Sequence, residues 1–406
     1  MKKLNLSLII SFITFLAHAQ QNQELTDFNT YSQNIESKRR DASKAKDYAA
    51  AVANLTEWVG RYEQLSPATK KVTLGYSLSV YYNLACYTAL EGKKEEAISW
   101  FKKAADAGYS NYSHTLVDTD LDSVRNDEQF KKALLKVRER GDYGYILKNS
   151  GPYSHENTTL PVFTYQSASA PELIALKNRF NLDSISGNGD EISKFKKLLF
   201  WAHNIVTHDG NSNNPPSRNA IDLIEVCKKE NRGVNCRMMA TILRDAYQAE
   251  GFEARIVTCF PKDTADFDCH VINIVWSKTM NKWVWMDPTF NAYVSDEKGN
   301  LLNIEEVRER LVNDSPLVLN EDANWNNKQK ETKDYYLGYY MSKNLFWLEC
   351  SLKSEWNVET RKTGKTPITY INLYPGKYNN IDGTKKISPD RAEYAVNNPA
   401  YFWQKP

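Results

Sequence analysis

Apolar positions recur every three and four residues through the first third of the chain, then give way past Gly251 to short runs that alternate or are apolar throughout. The first pattern predicts amphipathic helices and the second predicts strands. From Glu24 to about Val137 the chain reads as successive helices without strand signals, clearest from Ser79 to Gly108, where Gly92 marks a turn between two helices. Asp47 to Leu65 reads as an earlier helix with Pro67 near its end, and Arg125 to Val137 as a short later one. Arg138 to Thr159 turns polar and carries Gly141, Gly144, Gly151 and Pro152, which marks a boundary.

Beyond it, Leu160 to Tyr165 reads as a strand, and Ser169-Ala-Pro-Glu starts a helix with a cap and a first-turn proline. Glu191 to Thr207 is a helix with Phe195, Leu198, Leu199, Ala202 and Val206 on one face. Asp209 to Pro216 is a loop and Ser217 to Glu230 a helix. Asn231 to Phe252 then holds a helix striped by Met238, Met239, Ile242, Leu243, Ala246 and Tyr247, with Gly251 as a left-handed stop. Strands follow at Ala254 to Phe260, at CHVINIVW, and at Lys282 to Met286; Asp296 to Gly299 is a turn and Ile304 to Leu311 a short helix. The aromatic tail from Asp334 to Pro406 reads as added strands of the same domain. The fold class is α+β: a helical domain over residues 20–145 and a helix-on-sheet domain over 151–406.

Lys2 and Lys3, the apolar run Leu4 to Leu16 and Ala17-His18-Ala19 form a secretory signal peptide over residues 1–19, with cleavage expected after Ala19 and no stable membrane anchor. The mature chain is expected to be periplasmic or extracellular. Composition is that of a soluble two-domain protein, with 406 residues, 41% hydrophobic and 25% charged. A formal charge of +2 without a long basic run argues against nucleic-acid binding. Core packing accounts for most of the 24 tyrosines and 10 tryptophans. The acidic loop DTDLD lacks the twelve-residue calcium pattern and reads as a solvated turn. His203 and His208 are five apart and no CxxC or HExxH occurs, so no metal and no cofactor is expected. Of six cysteines, Cys259 and Cys269 flank a predicted hairpin and could pair across it.

Cys236 sits in the first turn of its helix, where unpaired N–H groups and the helix dipole favour a thiolate. His270 opens the next strand but one, and Asp287 ends the third, on the face of Trp283 and Trp285 by alternation. The three types suit one chemistry. A cysteine attacks, an imidazole moves its proton, and a carboxylate fixes the imidazole tautomer. Each has a plain structural use as well: a small buried thiol, a satisfied strand histidine, a turn former before Pro288.

This order, with the Ala254-Arg255 strand after Gly251 and the segment WVWMDPTF, resembles the core of the transglutaminase-like superfamily. The resemblance is specific over Asn231 to Tyr293 and looser from about Pro161 to Asn320. It implies a papain-like triad on a helix packed against an antiparallel sheet, with Cys236 as nucleophile, His270 as base and Asp287 as orienter. It departs where family members commonly carry a glycine two residues before the cysteine; here Gly233 lies three before and Asn235 is adjacent. The family also uses upstream groups at the site, which makes Trp201 and His203 weak candidates for an oxyanion donor. The stretch Ser79 to Gly108 resembles a tetratricopeptide repeat through Leu84, Ala85, Tyr87, Gly92, Ala97, Phe101 and Ala104, which implies a packing module or docking arm for a protein partner.

The expected function is that of an exported thiol enzyme acting on amide bonds of a peptide or protein through an acyl-enzyme, by hydrolysis or acyl transfer. The alternative is a non-catalytic module that holds a peptide or protein partner in its repeats and groove. A complete triad favours the enzyme.

Overall fold

The computed structural model describes residues 4–154, 160–360, 366–376 and 385–406; for 4–21 and 385–387 it describes the backbone. Lys2 and Lys3 of the expected leader lie outside the described residues, while Leu4–Lys44 is one continuous helix. No helix among the described residues is long and apolar enough to cross a membrane. The chain divides into two compact units, Met1–Asp142 and Tyr143–Pro406.

The first unit is helical. After the long first helix come Tyr48–Glu63, Leu74–Leu90, Lys94–Ala107 and Glu128–Gly141. Asp47 caps the second by accepting from the Ala50 N–H at 2.9 Å. Gly92 makes the turn at φ 77°, a conformation that a Cβ disfavours. Ala85, Ala97 and Ala104 are fully buried beside Leu84 and Phe101, and such small residues let two helix backbones approach closely. The DTDLD segment is not the solvated turn expected from its composition. Asp118 accepts from the Tyr82 hydroxyl at 2.7 Å, and Leu121 is buried in a short 3₁₀ turn, Thr119–Leu121.

The second unit is built on a seven-stranded sheet. Its strands are β1 (Ala254–Phe260), β2 (His270–Ser277), β3 (Lys282–Met286), β4 (Trp347–Ser351), β5 (Ile368–Leu373), β6 (Lys385–Ile387) and β7 (Arg391–Val396), in the order β6-β7-β5-β4-β1-β2-β3. The sheet is antiparallel except for β5 beside β7, which run parallel. One face carries the helices Pro171–Phe180, Glu191–Ile205, Ala220–Glu230 and Cys236–Ala249, whose apolar stripes share a core with Val275, Val284 and Met286. The other face, with Ile272, Ile274, Trp276, Trp283 and Trp285, is closed by Ile304–Val312 and by aromatic residues of the tail. Cover on both faces explains why β2 is apolar on both sides.

Several expectations change at this level. The helix cap expected at Ser169 falls on Ala170, which makes no side-chain cap bond. The tail is not all strand: Asp334–Met341 winds as a π-helix before β4 begins. Cys259 and Cys269 are both free, and the cross-strand partner of Cys259 is His270. Alternation therefore puts Cys259 on the His270 face, and Cys269, one residue earlier, is not its facing neighbour.

The Cys236–Ala249 helix is buried on its polar side too. Arg244 bonds Asp245 at 2.5 and 2.9 Å, and Asp245 accepts from the Ala220 N–H at 2.9 Å, placing a carboxylate at that helix start. Arg237 bonds Glu359 at 2.7 Å and the Thr258 hydroxyl at 2.6 Å, which ties the start of the Cys236 helix to the chain leading into β5. Burial alone would raise the Glu359 pKa, but Arg237, Arg244 and Arg218 hold the carboxyl below its usual range. A depressed carboxyl contributes stability at neutral pH that is lost as pH falls through its folded value. Glu359→Gln should therefore lower the unfolding free energy at neutral pH by about 2 kcal/mol, because it removes the charge that Arg237, Arg244 and Arg218 share. In urea melts the variant should also lose less stability than the wild type as pH drops below the ordinary glutamate range of about 4.3. Equal slopes would contradict the ion-pair account.

Candidate active site

The site starts at a helix N-terminus. Asn235 is the N-cap, with φ −76° and ψ 173°, and its side chain accepts from the Met238 N–H at 3.3 Å. Cys236 is thus the first helical residue, and its own N–H precedes the first intrahelical bond. The thiol is half-buried against Ala240, Ile256 and Val271. The preceding loop depends on Gly233. A Cβ there would meet Asp209 Cβ and Thr207 O at 2.7 Å each, so only glycine lets the two segments lie this close. Through that contact the Val234 N–H donates to Thr207 O at 3.0 Å and the Asp209 N–H donates to Val234 O at 2.8 Å. His208 is thereby paired with Val234, two residues before the cysteine. A glycine three residues before Cys236 serves this approach.

His270 is the first residue of β2, and alternation sends its side chain to the face of Ile272 and Ile274, away from the Cys236 helix. At the end of the strand this is no obstacle, since Cys236 packs against Val271, the next residue of β2, and the His270 ring is near enough to the thiol to lower its pKa. His270 Nε2 bonds Asp287 Oδ2 at 2.7 Å, and the two side chains are 1% and 0% exposed. With Nε2 occupied, Nδ1 is the nitrogen left to face sulfur. Asp287 is itself fixed: Oδ1 accepts from the Thr289 N–H at 2.9 Å, and the Tyr336 hydroxyl donates to Oδ2 at 2.6 Å. The structure therefore brings Cys236, His270 and Asp287 together.

It also adds residues that the sequence reading did not place there. Tyr336 and Tyr340 both come from the π-helix, and the Tyr340 hydroxyl lies 3.4 Å from His270 Nδ1. Their spacing of four in YYLGYY puts two rings on one face of a helix and of a strand alike, so the sequence held no signal that chose the helix. His208 also lies near the Cys236 thiol and helps to lower its pKa. Its Nδ1 accepts from Trp325 Nε1 at 3.0 Å, while its backbone is clamped by Asn326, which accepts from the His208 N–H at 2.8 Å and donates to its carbonyl at 3.0 Å. Only a contact between distant segments makes this histidine special. The two upstream candidates lie elsewhere. His203 is buried between Pro288 O at 3.0 Å and Asn324 Oδ1 at 3.1 Å, where it braces the turn after Asp287, and Trp201 packs edge-on against Phe180 at 5.7 Å.

Burial would raise the Cys236 pKa, yet the two imidazoles, His208 and His270, outweigh it through hydrogen bonding and charge and lower the thiol to about 6. Burial would lower the His270 pKa, but the Asp287 charge and hydrogen bond raise it. The resting pair is thus thiolate and imidazolium near neutral pH. Among the described residues, one set brings three side chains able to ligate a metal within 4.8 Å: Cys86, Asp118 and Asp120 in the helical unit. There the Asp118 carboxylate already receives the Tyr82 hydroxyl at 2.7 Å and the Cys86 thiol at 3.6 Å.

These shifts make a direct prediction. Cys236 should react with iodoacetamide at a rate that rises through about pH 6, whereas burial holds the thiols of Cys227 and Cys269 above their ordinary value. His270→Ala should shift the Cys236 profile to higher pH, and Asp287→Ala should shift it less. Peptide mapping assigns the label. A Cys236 profile that matches those of Cys227 and Cys269 contradicts the assignment.

Comparison with known proteins bears on the same segment. Residues 179–288 match the family model described as the transglutaminase-like superfamily, a stretch that contains His208, Cys236, His270 and Asp287. A solved structure from Cytophaga hutchinsonii, provisionally named a cysteine protease, is similar at 17% identity and TM-score 0.24 over 36% of this chain and 46% of that one. The chain therefore spans less than half the length of that structure. No curated protein matches the chain. Residues 179–288 thus carry a transglutaminase-like domain, within a chain that has a helical region before it.

Proposed function

We propose that the protein is a thiol enzyme that cleaves or exchanges amide bonds of peptides or proteins through an acyl-enzyme on Cys236. The observation that carries this reading is the half-buried thiol at a helix start, held below its ordinary pKa by an imidazole that Asp287 orients.

The steps follow from the proton positions. The Cys236 thiolate attacks the amide carbonyl; the C–S bond forms and the carbonyl π pair moves to oxygen. As the carbonyl re-forms, the C–N bond breaks and His270 Nδ1 passes its proton to the departing amine. His270 is then neutral at Nδ1, with its remaining proton directed to Asp287. It takes a proton from an incoming water or amine, which attacks the thioester; the C–S bond breaks and the thiolate returns. Asp287 stays ionised throughout and stabilises the imidazolium. Hydrolysis and crosslinking differ only in which nucleophile arrives.

The helical unit supports a docking role alongside. It holds a cavity of about 420 Å³ lined by Asn29, Ser32, Gln33, Leu55, Trp58 and Tyr76, a mixture of apolar wall and polar groups that suits a peptide segment. Export through the 1–19 leader belongs to the same proposal and requires a mature N-terminus at Gln20 in protein from the native host.

The test uses a proteome-derived peptide mixture in ¹⁸O-labelled water with added glycine ethyl ester. New carboxyl termini carrying ¹⁸O report hydrolysis, and glycine ester adducts report transfer. The wild type should give one or both, and Cys236→Ala neither. Absence of both products from wild-type protein whose Cys236 alkylates as predicted would remove the enzyme reading and leave a binding module.

A further inference from the structure

Two histidines flank one sulfur, and their outward hydrogen bonds are opposite in kind. His270 Nε2 meets a carboxylate at 2.7 Å, so Nε2 carries a proton and Nδ1 can take up and release one. His208 Nδ1 meets the Trp325 indole N–H at 3.0 Å. Indole nitrogen is a donor only, so in this arrangement His208 Nδ1 is an acceptor without a proton and the ring proton sits on Nε2. His208 lies close enough to the Cys236 thiol to lower its pKa, and Nε2–H is the ring group left to donate toward it. Such a ring has no free acceptor for a proton from a thiol, which excludes His208 as a second base.

We propose that His208 is the side-chain half of the oxyanion hole, its Nε2–H acting together with the Cys236 backbone N–H. This rests on the acyl-enzyme reading above. When sulfur bonds to a carbonyl carbon, its charge passes to an oxygen two bonds away, beside the groups that held the thiolate. The Cys236 N–H is the first of its helix and has no intrahelical acceptor, so it is free to point at that oxygen. His208 stands on the other strand of the Val234 bridge, and the Asn326 clamp and the Trp325 bond fix its backbone and ring before substrate arrives. A preset donor needs no reorganisation as charge moves from sulfur to oxygen. Asn326 and Trp325 are positioning residues on this account; His208 touches the reacting atom.

The experiment compares two reactions of the same sulfur in the full chain. Acylation by p-nitrophenyl acetate develops an oxyanion; alkylation by iodoacetamide does not. Both are measured at a pH alkaline enough to ionise Cys236 fully in each variant, which removes any effect of His208 on the thiol's ionisation. His208→Ala should slow acylation by about 100-fold or more, the usual loss for one oxyanion donor. Alkylation should change by less than about threefold. His208→Gln, which restores an N–H donor, should recover at least about tenfold of the acylation loss, and Trp325→Phe, which releases the ring tautomer, should fall between the wild type and His208→Ala. Nitrogen NMR of labelled histidine should show His208 Nδ1 unprotonated at neutral pH in the wild type. Equal slowing of both reactions in His208→Ala, unchanged acylation, or a protonated Nδ1 at neutral pH overturns the assignment. Failure of the wild type itself to acylate Cys236 would instead overturn the acyl-enzyme reading on which it rests.

Discussion

Two hydrogen bonds, His270 Nε2 to Asp287 and Trp325 Nε1 to His208 Nδ1, decide which ring nitrogens are left facing the Cys236 sulfur. Their positions are demanding, because the five groups come from a helix start, two strand ends, a segment near residue 208 and a short hairpin that holds Trp325. The fold supplies that precision through constraints that are individually ordinary. Gly233 permits a close backbone approach, Asn235 caps a helix, Asn326 clamps a backbone, and Tyr336 and Thr289 hold a carboxylate from two sides. Each removes one way in which the rings could turn. An imidazole in the wrong tautomer beside a thiolate is a poor base, and the loss is large even where geometry is otherwise intact.

The burial of the Cys236 helix follows from the same requirement. A helix that carries a nucleophile at its tip must not shift along its axis, and this one is fixed on every side. Its apolar stripe packs against three neighbouring helices and the sheet, while Arg237, Arg244, Asp245 and Gln248 bond to buried partners on the opposite side. Buried ions contribute little net stability but are costly to break singly, so they serve to define one arrangement. Arg237 follows Cys236 directly, and its bond to Glu359 couples the tip of the helix to the C-terminal strands.

What was legible in the sequence was local. Strands β1, β2 and β3 fall where β-branched and aromatic runs lie between turn residues, and the helix that opens with Cys236 stops before Gly251, whose φ is 82°. Mixed cover of the two sheet faces was also readable, from the two-sided apolar character of β2. What escaped was non-local or unusual in winding. His208 looks like any loop histidine until Gly233 and Trp325 are brought to it by contacts that no periodicity encodes. The tyrosines of YYLGYY carry strand-forming chemistry, but in a π-helix they reach His270 and Asp287 from one side. The buried partners of the polar side of the Cys236 helix, Glu359 and Ser354, lie more than a hundred residues further along, where no local pattern points to them.

The central claim is that the two imidazoles hold the Cys236 sulfur as a thiolate in the free protein. The ultraviolet absorbance of thiolate, measured as a difference between the wild type and Cys236→Ser across a pH titration, reads this without any substrate or label. The account predicts one added thiolate whose absorbance appears with an inflection at about pH 6 and persists through neutral pH. An inflection near the ordinary thiol value of about 8.5 would contradict it, and with it the roles given to His208 and His270.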